Sequence, residues 1–289
     1  MEIDSVLSLM TTEIQGHVSS LGKIWAAALR RAKIRLNYKT WMLFDFASTI
    51  FMVFTYFLLS FIIMPYDIKR AGYGSSYFTF AVIGIAISHY MTASMRSLSL
   101  TIRLEQFYGT LETILSTPTD FIILFLGDLL YFLMYSTVFL VIILPLGIIL
   151  GASMYINIET IVTLTVLITL LIASNLPIGI ISAAMILRYK QGNPIGWAIT
   201  WINQFFAGTY FPITLLPSYA KYVSMLLPLT FSLDAIRYSL IWGVTILNGR
   251  VLLDTAIMII YTIIGLPISI VIFRKIYNNV RRRGGLSAY

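Results

Sequence analysis

Residues 41–64 run for 24 positions with one charged side chain, Asp45, and comparable apolar runs recur along the rest of the chain. Such a run constrains folding more than anything else in the sequence. In lipid each backbone N–H and C=O must find its partner inside the protein, so a long apolar run is read as a membrane-crossing helix of about 20 residues. The composition agrees: of 289 residues, 58% are hydrophobic and 11% charged, against about 25% charged in an ordinary soluble domain.

The apolar pattern predicts six spans, at 41–64, 77–100, 121–150, 160–187, 194–210 and 254–273. The third is long enough to tilt, and Pro145 is placed to kink it. The fifth is at the short limit. Before the first span, residues 21–36 read as an amphipathic helix: Leu21, Trp25, Ala28, Leu29, Ala32 and Leu36 share one face, with Lys23, Arg30 and Lys33 elsewhere. Its apolar stripe suits the headgroup layer of a bilayer, with its basic groups near anionic lipid; packing on protein alone is the other reading. Between 211 and 253 the pattern breaks, because Pro212, Pro217 and Pro228 divide apolar pieces too short to cross. Met225, Leu226, Leu227, Leu229 and Phe231 make that stretch too apolar for an ordinary loop, so it is expected to dip into the membrane and return.

Lys and Arg set the orientation. With the amino terminus inside, 15 of the 20 lie in cytoplasmic segments and five outside, which favours both termini in the cytoplasm of a cell-membrane protein. The organisation is then a cytoplasmic segment with its interfacial helix (1–40), a transmembrane domain (41–274) and a basic tail (275–289). The net charge of +8 is concentrated beside apolar spans, the pattern of a membrane surface and not of nucleic-acid binding.

Several chemistries lack their residues. With no Cys, disulfides and thiolate metal sites are excluded. His17 and His89 are the only histidines, too few for a histidine-rich metal site or a catalytic cluster. No G-x-x-x-x-G-K-[ST] loop occurs, so the chain is not expected to hydrolyse nucleotide or to be an enzyme by itself. His89, within the second span, is a candidate for proton handling or for a hydrogen bond to a neighbouring helix. Asp45 and Asp128 sit near span ends, and no midplane acid of the kind a proton-coupled carrier needs is apparent.

The polar loop after the second span reads Arg103-Leu104-Glu105-Gln106-Phe107-Tyr108-Gly109-Thr110-Leu111-Glu112-Thr113-Ile114-Leu115-Ser116-Thr117-Pro118. It is expected to form a short amphipathic helix with Leu104, Leu111 and Leu115 on one face and Glu105 and Glu112 alongside one another, ended by Pro118. Joined to two spans, it could carry motion from a soluble partner into the membrane.

These residues resemble the permeases of the type-2 ABC exporter family, whose loop here runs from an acidic-polar start through Gly-Thr-Leu-Glu and two apolar residues to Thr-Pro. Gly109, Thr110, Leu111, Glu112, Ile114, Leu115, Thr117 and Pro118 match it; the Arg103-Leu104-Glu105 start carries fewer charges than in many relatives. A second match is Gly208-Thr209-Tyr210-Phe211-Pro212, Leu216-Pro217, Leu227-Pro228-Leu229-Thr230 and Asp234-Ala235-Ile236-Arg237. The resemblance covers residues 20–275 and finds no counterpart for 1–18.

The resemblance implies an all-α membrane protein with an interfacial helix (Trp25, Arg30, Lys33), a coupling helix and re-entrant extracellular helices (Gly208, Phe211, Pro212, Pro217, Pro228, Arg237). It implies coupling through Glu105, Gly109, Thr110, Leu111, Glu112, Leu115, Thr117 and Pro118 to two ABC ATPase subunits, which would bind ATP and Mg; this chain would hold no cofactor. A second permease copy or paralogue would complete the transporter. The expected function is export of an amphipathic drug-like molecule, lipid or glycan, along a path near Tyr56, Tyr90, Asn203, Gln204 and Phe205. The alternative is a secondary carrier or channel that works without an ATPase.

Overall fold

The computed structural model describes residues 19–63, 65–116, 121–189 and 194–282, and these are helical with no strand. The helices are α1 (Ser20–Leu36), α2 (Lys39–Leu59), α3 (Pro65–Arg70), α4 (Tyr77–Phe107), α5 (Leu111–Ser116), α6 (Phe121–Ile149), α7 (Ile158–Tyr189), α8 (Pro194–Phe206), α9 (Ser218–Met225), α10 (Pro228–Trp242) and α11 (Gly249–Arg282). A short 3₁₀ turn, Ile213–Leu215, precedes α9. Five of them, α2, α4, α6, α7 and α11, are long and apolar enough to cross a membrane, the signature of a multi-pass helical membrane protein.

The expected fifth span, 194–210, is the exception. Its helix α8 has 13 residues, about 20 Å at 1.5 Å per residue against a hydrocarbon core of about 30 Å. The chain leaves helical geometry at Gly208, where φ is +80°, a conformation that costs other residues more.

Two expected boundaries also move. α4 continues as helix to Phe107 and α11 to Arg282, beyond the apolar runs that ended at 100 and 273. Hydropathy marks where side chains turn polar; the backbone stays helical while its own hydrogen bonds remain available. The helices α6 and α7 likewise run on past Pro145 and Pro177.

α4 is the axis. It packs on α7 and α6 along its length and on α10, α2 and α8 more locally, while α11 covers α7 and α10. The main core joins Ile83, Ile87 and Met91 of α4 to Leu167 and Leu171 of α7, to Leu229, Leu233 and Ile236 of α10 and to Met258 of α11. A second cluster joins Val53, Val82, Phe139 and Ile143, from α2, α4 and α6.

The polar stretch after α4 departs from the expected single helix. Gly109 adopts φ +70° with open space where a Cβ would stand, so the chain breaks there and α5 starts afresh at Leu111. Leu104 and Leu111 therefore lie on different helices. Leu111 is buried against Leu98, Ile102 and α7.

Candidate functional site

Helix α1 begins with Ser19, whose Oγ accepts from the Gly22 N–H, an N-cap that satisfies an otherwise open donor. Leu21, Trp25, Leu29 and Leu36 remain exposed; with Ala32 they fall in a wedge of about 80° at 100° per residue. Ala28, expected on that stripe, instead belongs to the face that packs on protein and is buried. Gly127 of α6 makes this approach possible: a Cβ there would stand 2.4 Å from Ala27 Cβ and 2.7 Å from the Ile24 carbonyl oxygen.

The basic residues of α1 divide by direction. Lys33 is exposed, but three arginines turn inward, each to a different helix. Arg30 Nη2 donates to Glu105 Oε1 of α4 at 2.8 Å. Arg31 Nε donates to Asp128 Oδ1 of α6 at 3.0 Å and its Nη2 to Oδ2. Arg35 Nη2 donates to Asp45 Oδ2 of α2. Arg30, expected near anionic lipid, thus has a carboxylate partner on α4, while its side chain stays 41% exposed.

These pairs differ in environment. Asp128 is 0% exposed and also accepts from Thr101 Oγ1 at 2.7 Å, so the bidentate arginine and the hydroxyl together offset the desolvation of a buried carboxylate. Asp45 is half-open and accepts from Tyr135 OH at 3.0 Å. Partial burial works against the charge on Arg35, but Asp45 and Tyr135 outweigh it and hold the guanidinium above its ordinary pKa.

Beneath α1 lies a cavity of about 640 Å³ walled by α1, α2, α4 and α6, with Gln204 and Tyr210 at one side. Arg31, Arg35 and Asp45 line it, as do Arg96, Ser97 and His89 of α4. His89 stacks on Phe139 with ring centroids 4.2 Å apart. Tyr210 OH donates to Gln204 Oε1 at 3.4 Å, a long contact, and its ring stacks on Tyr56 at 5.4 Å.

The five residues expected along a transport path therefore separate. Gln204 lines the cavity, and Tyr56 touches it through Tyr210. Tyr90 belongs to the main core and shares a 2.8 Å hydrogen bond with Thr137. Asn203 is buried, donating from Nδ2 to the Ile199 carbonyl at 3.1 Å. Phe205 is exposed beside Phe206 and Phe211.

The residues expected to couple to an ATPase divide similarly. Glu105 is buried, held by Arg30 and by Thr110 Oγ1, which donates to Oε2 at 2.5 Å. Gly109 and Thr110 form the exposed turn. The side chains of Glu112 and Leu115, together with residues Thr117 and Pro118, lie outside the described residues.

At the opposite end of the bundle, Arg237 of α10 is 1% exposed. It donates to the carbonyls of Phe80 at 3.2 Å, Gly208 at 2.7 Å and Thr209 at 2.7 Å, and lies 3.4 Å from the centre of the Phe80 ring. This explains the spacing of Gly208 and Arg237 in the sequence. The chain break after α8 exposes two carbonyls that no helix satisfies, and one guanidinium supplies both. Pro212 and Pro228 are buried near this break, Phe211 is half-buried, and Pro217 is exposed.

Nearby, Tyr73 OH donates to Asp234 Oδ1 at 2.5 Å, and Arg250 clamps the same carboxylate at 2.8 and 3.0 Å. Burial, then the Asp234 charge, push the Tyr73 phenol well above its usual pKa, so it stays a donor.

Sequence reasoning marked Asp128 only as an acid near a span end and did not find its partner Arg31, nor Thr101 or Arg96. The first pair is 97 positions apart, and only the fan of Arg30, Arg31 and Arg35 along one helix hinted that more than one element awaited them. Among the described residues, no three His, Asp or Glu side chains gather as a metal site. The arrangement fixes helices relative to one another and leaves an open, charged cavity; it is suited to binding and movement. Comparison with protein-family models and with curated proteins returned no match.

Proposed function

We propose that this chain is the permease subunit of an ATP-driven exporter of the type-2 ABC kind, working in the cell membrane with a second permease and two separate ATPase subunits. ATP and Mg belong to those partners. The observation that carries the reading is the junction of α4, α5 and α1. The short helix α5 follows α4 through the turn at Gly109, Leu111 anchors it, and the Thr110–Glu105–Arg30 chain ties the turn to α1. A push on α5 from a cytoplasmic partner would pass to α4 and α1 together. The family-like residues 109–112 stand at this junction.

The outer half supports the same reading. Tyr261 OH donates to the Met225 carbonyl at 3.2 Å, which sets the α9–α10 turn beside the thirteenth residue of α11, about 18 Å along it. The other end of α10 lies at Gly72, where Trp242 Nε1 donates at 3.0 Å. So α9 descends and α10 returns. In the membrane frame this is a re-entrant hairpin, and with the short α8 it supplies the sixth crossing region.

The test is co-purification with a candidate ATPase, followed by ATP-driven transport in vesicles. Glu112→Lys is expected to abolish complex formation and ATP-stimulated transport. Arg30→Ala is expected to keep the complex and lower transport several-fold. A chain that moves solute at full rate with no ATPase present would overturn the proposal and leave a carrier or channel.

A further inference from the structure

The charges around the cavity under α1 do not balance. Three arginines line it, and two carboxylates are at hand. Asp128 is taken by Arg31 and Thr101, and Asp45 by Arg35 and Tyr135. Arg96 is left half-buried, with no ion pair or side-chain hydrogen bond to any described residue. A partly buried cation without a counter-charge is unfavourable. An unpaired guanidinium on the wall of this cavity, where the other two arginines are neutralised, points to a ligand that supplies its counter-charge.

We propose that this cavity binds the anionic head of an amphiphile, a phosphate or a carboxylate. Arg96 supplies the charge. Met52, Leu100 and Leu104, on the walls of the same space, receive the apolar part. The volume falls within the range of roughly 300–1,000 Å³ usual for small-molecule sites. The surplus positive charge discriminates against cationic amphiphiles, because bringing a like charge into a partly dry site is unfavourable. Binding itself requires no ATPase; that the cavity loads the export path rests on the exporter reading.

The experiment is equilibrium binding of radiolabelled dodecyl phosphate to the purified full chain in phosphatidylcholine nanodiscs, without ATPase. The competitors are dodecanoate, dodecyltrimethylammonium and inorganic phosphate. Saturable binding displaced by dodecanoate is expected. Arg96→Gln should weaken it about tenfold or more, the loss of one charge-assisted contact, while Arg96→Lys retains most of it.

Undiminished affinity in Arg96→Gln overturns the proposal, as does equal displacement by dodecyltrimethylammonium. Displacement by inorganic phosphate as effective as by dodecyl phosphate reduces the cavity to a free-anion site and also overturns it. Should Arg96→Gln fail to fold, uncharged dodecanol as competitor on the parent chain decides: little displacement supports the site, and displacement equal to that by dodecanoate overturns it. The two readings fail separately. ATP-driven export undiminished in Arg96→Gln overturns the cavity alone, whereas intact binding in a chain that engages no ATPase overturns the exporter alone.

Discussion

Helices α4 and α11 are both more than 30 residues long, yet they occupy opposite environments. Of the most apolar stretch of α4, 89% of residues are buried in the protein; in α11, and likewise in α2, the figure is 11%. The order of apolarity is inverted, for this stretch of α4 is the least apolar among those of the five long helices and that of α11 is among the most. In water the reverse would hold. In a membrane, lipid tails solvate leucine as well as a protein core does, so helix association draws on close packing and hydrogen bonding by small polar residues. The buried Ser94 of α4 shows how such residues are accommodated, donating at 2.8 Å to the Tyr90 carbonyl four residues back.

The sharpest way to break this comparison is Gly84→Leu in α4. A Cβ at Gly84 would stand 2.1 Å from the Thr209 carbonyl oxygen and 2.4 Å from Arg237 Nη2. Both neighbours are fixed by the Arg237 hydrogen bonds, so no side-chain adjustment relieves the clash. The expected loss exceeds about 4 kcal/mol, seen as failure to recover monodisperse protein; recovery at the parent's yield would show that α4 and α10 are less closely apposed.

Next in size is Asp128→Ala, which strands Arg31 in a buried site. A loss of about 3–5 kcal/mol is expected, read as a lowered thermal midpoint in detergent. The double change Arg31→Met/Asp128→Leu should restore most of it, and a double variant no better than the single would show that the pair contributes something beyond mutual neutralisation.

The smallest effects belong to the outward faces. Phe51→Ala in α2 and Ile263→Ala in α11, at positions 71% and 67% exposed, should shift stability by no more than about 0.5 kcal/mol. A loss several times larger in either would mean that protein, and not lipid, covers that face.

The legible part of the fold was what hydropathy reports. The five long spans, the helix before the first, the break at Pro212 and the polar turn after α4 follow from runs of apolar residues and their punctuation. The extent of α4 beyond residue 100 was not legible, because Arg103 and Glu105 resemble loop residues until Arg30 of α1 is seen to pair with Glu105. The shortness of α8 was hidden too. The apolar run continues through Gly208 and Tyr210, and only the Arg237 contacts show that the backbone has already turned.

The site was legible in part. Of the residues expected along a path, Gln204 lines the cavity and Tyr56 reaches it only through Tyr210. Tyr90, equally aromatic and on the same helix as His89, points into the core instead; one residue along a helix changes direction by about 100°. The carboxylate partners of α1 were out of reach, since the hydrogen bonds that matter join residues 10, 75 and 97 positions apart.

The three inward arginines of α1 also limit how the molecule can move. A rigid rod held at three points by three different helices removes most of the relative freedom of those helices. While all three tethers hold, α2, α4 and α6 shift as one body with α1, and rearrangement falls to α7, α8 and α11. The three tethers are unequal. That of α6 is dry and bidentate, whereas those of Arg30 and Arg35 are open to water, with side chains 41% and 34% exposed, and weaken as salt screens them. The body therefore has a built-in order of release: α2 and α4 can come away from α1 while α6 stays fastened to it.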